Sequence, residues 1–199
     1  MQLRVQESSC RGTQLIAFRS AVVALWGTSA WGEVCDTLPP TSREALSRTI
    51  TPIEWVAERH MVELAQAVHA GPAGGSDAVY RELVSTVVRV GFGRVRRFFV
   101  QLAAPEMLLT RAPDFWKHDH THGTLIVDIG RGRARVGLVD HVYATSAVAS
   151  LNAAEAFRSA LAQTRARHVE ERHRVNGGGL LEVDLTWDDV GREEERTAS

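Results

Sequence analysis

The sequence predicts an α+β fold, a helical N-terminal half packed on a C-terminal ββαββ antiparallel sheet. Three observations predict it. The first half carries apolar residues at helical spacing, punctuated by proline and glycine. The second half alternates with period two at Leu125, Val127 and Ile129, and again at Leu181, Val183, Leu185 and Trp187. Between these stretches, Ser146 to Ala166 returns to helical spacing, with Val148, Leu151, Ala154, Phe157 and Leu161 on one face.

The elements follow in order. Thr13 to Trp26 is the first helix. Gly27-Thr28 breaks it, a short helix follows through Val34, and Leu38-Pro39-Pro40 ends that one. Thr41-Ser42-Arg43-Glu44 and Thr51-Pro52-Ile53-Glu54 both fit the capping box, the second with proline at the first helical position. From Thr51 a helix should run to about Ala70, with Ile53, Ala57, Met61, Leu64, Ala65 and Val68 on one face. Gly71-Pro72 stops it. Ser76 caps a helix from Asp77 to about Val90. Gly91-Phe92-Gly93 interrupts, helix resumes from Arg94 to Leu102, and Ala104-Pro105 opens a short helix ending near Arg111.

In the second half, Gly130-Arg131-Gly132 turns one strand into another at Ala134 to Asp140. The alanines of the Ser146 helix permit close approach to a sheet or to a partner helix. His168 to Val175 and the alternating run at Leu181 form the last hairpin. Arg172 and Arg174 can face Glu182 and Asp184 across it.

A chain of 199 residues, 44% hydrophobic and 24% charged, suits one domain spanning residues 1–190. Its helical half covers about 11–112 and its sheet half about 123–188. GREEERTAS, from Gly191, is charged and apolar-poor and reads as a disordered tail, 191–199. A net charge of -1 argues against nucleic-acid binding, which needs many cations. Arg19 interrupts the one apolar run, so no membrane span or signal core is expected, and the chain reads as cytoplasmic. Cys10 and Cys35 read as reduced thiols.

The densest chemistry lies in His118, Asp119, His120 and His122. On an extended segment the three imidazoles share a face, as a Zn-like divalent metal would require. If Ile129 opposes Gly132 or Arg133 in the hairpin, Asp140 falls opposite residue 121 or 122 and brings His141 near the cluster. A histidine-rich solvent loop is the competing explanation.

Arg131, Arg133 and Arg135 alternate along one strand face. With Arg94, Arg96 and Arg97 they could hold an anionic ligand or an acidic partner, or form a solvated surface. Phe98, Phe99, Trp116 and Leu151 would line a pocket between the helical half and the sheet, or simply fill the core. GFGR at Gly91 contains only GxG after a helix and reads as a helix break. His60, beside an apolar helix face, reads as a satisfied core-edge histidine. Asp140-His141 with Ser146 lacks a nucleophile elbow, which argues against a hydrolase.

Several motifs carry a resemblance: Arg11-Gly12-Thr13 before an apolar helix, LPP before a capped one, and Trp55. Gly93-Arg94, Phe98-Phe99, Pro105-Glu106-Met107-Leu108, RAPDFW, Gly123-Thr124-Leu125 and Leu185-Thr186-Trp187 follow. Together they resemble a paralogous family of uncharacterised myxobacterial proteins, from about Arg11 to Trp187. The ββαββ half is also similar to the sheet of the V4R (4-vinyl reductase) and haem-NO-binding-like sensor domains. That similarity implies a small-molecule sensor or a partner-binding module. The last hairpin has Arg172-His173-Arg174 and Leu180-Leu181-Glu182 where V4R domains often carry cysteines. The tyrosine-serine-arginine motif of the haem NO sensors is missing, so haem is not expected.

The resulting expectation is a non-enzymatic sensor or regulatory module. It would bind a small apolar or anionic ligand, or a protein partner, with the Ala-rich helix and sheet edges permitting a homodimer. The alternatives are a Zn-like metal protein or metal-dependent enzyme using HDHTH, and a pure protein-interaction module with a filled core.

Overall fold

The computed structural model describes residues 7–92 and 100–188. Six helices lie wholly among them: α1 Gly12–Thr37, α2 Pro40–Ser47, α3 Glu58–Ala70, α4 Asp77–Gly91, α5 Pro105–Asp119 and α6 Ala147–Leu161. Six strands accompany them: β1 Ser9–Arg11, β2 Trp55–Ala57, β3 Thr124–Gly130, β4 Arg133–Val139, β5 Arg167–Val175 and β6 Leu181–Asp188. The class is the α+β arrangement expected, and the second half is ββαββ. The sheet runs β3-β4-β6-β5, antiparallel throughout.

Two apolar cores meet at α6. The helical core gathers Leu15, Phe18 and Val22 of α1, Leu64 and Val68 of α3, Tyr80 and Leu83 of α4, and Leu151 of α6. The sheet core gathers Val136, Leu138, Leu181, Val183 and Leu185 with Ala149, Ala153, Ala154 and Leu161. Ala149, Ala153 and Ala154 of α6 thus lie against the sheet, while Ala156 packs on the helical core. The small side chains let helix and sheet approach closely.

A polar knot joins the layers. Glu155 of α6 is fully buried and takes Arg158 at 2.6 Å, Arg81 of α4 at 2.9 Å, and the hydroxyls of Ser85 and Ser159. Arg81 also pairs with Glu171 of β5. Burial would raise the Glu155 pKa, but Arg158, Ser159 and Ser85 outweigh it and hold the carboxyl below its ordinary value.

Several boundaries differ from the sequence reading. α1 is assigned through to Thr37, with the expected break surviving as a kink at Gly27, φ 88°. α2 starts at Pro40 with no side-chain cap, so Thr41 does not cap it. The Thr51 capping box is not used either. Trp55–Ala57 is extended and pairs with Ser9–Arg11, so α3 starts only at Glu58 and Ile53 is exposed. Backbone pairing with β1 wins there over local helix preference. α5 continues past Arg111 through Pro113 to Asp119, because Leu109 and Trp116 are buried on its inner face. In the hairpin Ile129 faces Ala134, so the register is shifted from the one expected. Arg172 faces Asp184 and Arg174 faces Glu182, as the charge pattern implies, with an Arg174–Glu182 ion pair at 2.6 Å. Ser76 caps α4 through the amide of Val79.

Candidate functional site: a cavity walled by a buried Glu-His-His cluster

The short strand β1 builds the site. On one side it pairs with β2, which runs directly into Glu58 at the start of α3. On the other side it bridges to the segment leaving α5: Cys10 opposes His120, and the Thr121 amide donates to the Ser9 carbonyl at 2.9 Å. Glu58 and His120 therefore meet across β1. His141 arrives from the end of β4, at the N-cap of a 3-10 turn, Val142–Ala144. Gly123, at φ 81°, packs against the His141 ring. A Cβ there would sit 2.8 Å from Cδ2 of His141.

Glu58, His120 and His141 are all buried. The carboxylate bonds to His120 Nδ1 through one oxygen. Its other oxygen lies 2.7 Å from His141 Nε2 and accepts from the Ser8 hydroxyl. Burial alone would raise the Glu58 pKa. The bond to His120 and the nearby His141 imidazole overcome it and lower the carboxyl to about 2. Trp116 lies over the His120 ring, and the edges of His141 and Tyr143 close the group. With the His120 proton on Nδ1, towards Glu58, its Nε2 accepts from the Gln14 amide at 2.9 Å.

His120 and Gln14 both line a cavity of about 530 Å³ between α1, α4, α5 and α6. The lining is mainly apolar, with Phe18, Val84, Val88, Phe92, Ala156 and Phe157 among it. Arg11 sits at the rim, its guanidinium 3.8 Å from the Trp55 ring centre and donating to the Ile53 carbonyl.

The structure sorts the residues singled out from sequence. Trp116 lines the cavity. Leu151 does not; it is buried in the helical core. Phe98, Phe99, Arg94, Arg96 and Arg97 lie outside the described residues. His118, His120 and His122 do not share a face, because helix α5 extends to Asp119. His118 is exposed and pairs with Asp119. His122 bonds the Thr121 hydroxyl, and its carbonyl accepts from Trp116 Nε1 at 3.0 Å. Only His120 and His141 of the four converge, on a glutamate that sequence spacing did not mark. In the sequence Glu58 fell inside the helix expected from Thr51 to about Ala70 and was not singled out. Arg133 and Arg135 are exposed, and Arg135 is tied to Asp184 at 2.7 Å. His60 is buried with its Nδ1 bonded to Ser42, a satisfied core histidine as expected.

No protein-family model matches the chain, and no curated protein matches it. Solved structures do. The K. algicida H-NOX protein in its unliganded Fe(II) form has a TM-score of 0.63 at 12% identity, over 90% of this chain and 97% of that one. The S. oneidensis H-NOX protein in its Fe(II)NO state has a TM-score of 0.63 at 13% identity, over 90% and 99%. An oxygen-binding H-NOX domain related to soluble guanylate cyclases, in its oxygen complex, has a TM-score of 0.62 at 12% identity, over 90% and 95%.

The fold is that of the H-NOX domains. The likeness spans nearly the whole chain, beyond the ββαββ half in which the sequence suggested it. It overturns the expectation that haem has no place here, since H-NOX domains are haem-binding. The expectation rested on a missing sequence motif, and the fold is present without that motif. Among the described residues no helix is long and apolar enough to cross a membrane.

Proposed function

We propose that this chain is a sensor domain whose small ligand or cofactor occupies the cavity between α1, α4, α5 and α6. One observation carries the reading: a mainly apolar cavity of about 530 Å³ whose lining includes the buried His120 and its hydrogen-bond partner Gln14. An apolar molecule gains by leaving water there, and one placed polar atom sets its orientation. A protein-interaction module with a filled core does not call for such a space. The H-NOX fold supports the same reading.

The lining suits a haem in kind. His120 would hold the group through Nε2, with Gln14 moved aside. Glu58 would hold Nδ1–H and so fix the ring and raise its basicity. Arg11 at the rim would meet an acidic edge of the group. When bound, haem supplies an iron able to take up a small gas molecule. Whatever the ligand, displacing Gln14 from His120 would loosen α1 from the segment leaving α5, a local change that the surrounding core can transmit.

The test titrates haemin, and separately an apolar fluorophore, into wild-type protein and the Ala156→Trp variant, which fills the cavity. Saturable binding to wild type that is lost in Ala156→Trp supports the reading. Equal binding to both proteins, or none to wild type, contradicts it. An acidic partner at Arg131, Arg133 and Arg135 is a second proposal. It would have to compete with Asp184 for Arg135.

A further inference from the structure

We infer that Glu58, His120 and His141 form a binding site for one divalent transition-metal ion, distinct from the cavity ligand. One atom from each residue lies within 4.8 Å of the others, and all three side chains are buried. The donors would be a carboxylate oxygen of Glu58, Nδ1 of His120 and Nε2 of His141. Two imidazoles and one carboxylate suit zinc or ferrous iron, whereas calcium and magnesium prefer all-oxygen shells.

A second observation points to a ligand. His141 Nε2 is fully buried and makes no aligned hydrogen bond. It lies 2.7 Å from Glu58 Oε2, an ion-pair contact that does not meet hydrogen-bond geometry. Buried polar atoms without a partner are rare, and a missing ion is one standard cause. Among the described residues no lysine or arginine pairs with Glu58. Its charge can be balanced by a proton on one imidazole or by a cation. The orphaned nitrogen favours the cation.

Binding would shift protons in a defined way. With the ion on Nδ1, neutral His120 carries its proton on Nε2, and the Gln14 amide must turn its oxygen to accept it. His141 would hold its proton on Nδ1 and release its 3.3 Å contact with the Tyr143 amide. The ion would thus convert the cavity wall from acceptor to donor. It would also exclude an iron at His120 Nε2, since no lone pair remains there.

The test uses untagged full-length protein, stripped with chelator, loaded with Zn(II) or Co(II), and desalted. Metal per chain is read by mass spectrometry, with the visible absorption of Co(II) as a second readout. The expected result is about one ion per chain, with at least about a tenfold weakening in His141→Ala. His118→Ala and His122→Ala should bind like wild type. Loaded wild type should melt higher than stripped wild type. Failure of stripped wild type to retain metal or shift its melting overturns the inference, whether or not the variants fold. Retention by a folded His141→Ala protein equal to wild type overturns it too. Ala156→Trp closes the cavity and leaves the three ligands in place, so it should still bind metal. That separates this inference from the cavity reading.

Discussion

The imidazole of His120 lies flat on the indole of Trp116, with ring centres 3.7 Å apart and planes 5° apart. Trp116 also donates from Nε1 to the His122 carbonyl. The stack fixes the ring that Glu58 and Gln14 hold at its two nitrogens. Trp116→Ala should cost about 3–5 kcal/mol, the usual range for a buried tryptophan. Trp116→Phe keeps an aromatic face but loses the hydrogen bond, and should cost clearly less. Denaturant unfolding of both variants checks the order.

Gly123 tests how tightly His141 is held. Alanine there meets a positive φ of 81° and a clash with the His141 ring. The substitution should cost about 1–3 kcal/mol. In a His141→Ala background the clash disappears and only the backbone strain remains, so the penalty should fall. Equal penalties in both backgrounds would mean that Gly123 does not press on His141.

Glu155 makes stability depend on pH. Its folded pKa is depressed, so its contribution is present above the ordinary carboxylate range and is lost as pH falls through the folded value. Glu155→Gln should therefore be destabilising near neutral pH, by roughly 3–5 kcal/mol for a broken buried pair. The difference from wild type should narrow below about pH 4, as the carboxyl takes up its proton. Thermal melts of both proteins across that range measure it.

The sequence made the second half legible because its signals are local. Alternation marked β6, the glycine turn marked the β3–β4 hairpin, and Ser146 marked the start of α6. Charge alternation even paired Arg174 with Glu182. The first half was legible only where helices are long. β1 and β2 have three residues each, too short for periodicity to register. Their pairing is what brings Glu58 to His120, across a separation of 62 residues. The histidine cluster drew attention for its density, but α5 runs into it and sends His118 and His122 elsewhere. His141 came close to His120 as proposed, though by the end of β4 and the Gly123 contact, not by the strand register envisaged. Fold-scale contacts of this kind leave no spacing signature.

The central claim is that the cavity is a ligand site. Native mass spectrometry of freshly purified wild-type and Ala156→Trp proteins, after incubation with haemin and after no addition, tests it most directly. The account predicts about one small-molecule adduct per wild-type chain and none on Ala156→Trp, for a folded variant of at least equal melting temperature. A bare wild-type chain under both conditions, or the same adduct on both proteins, would contradict it.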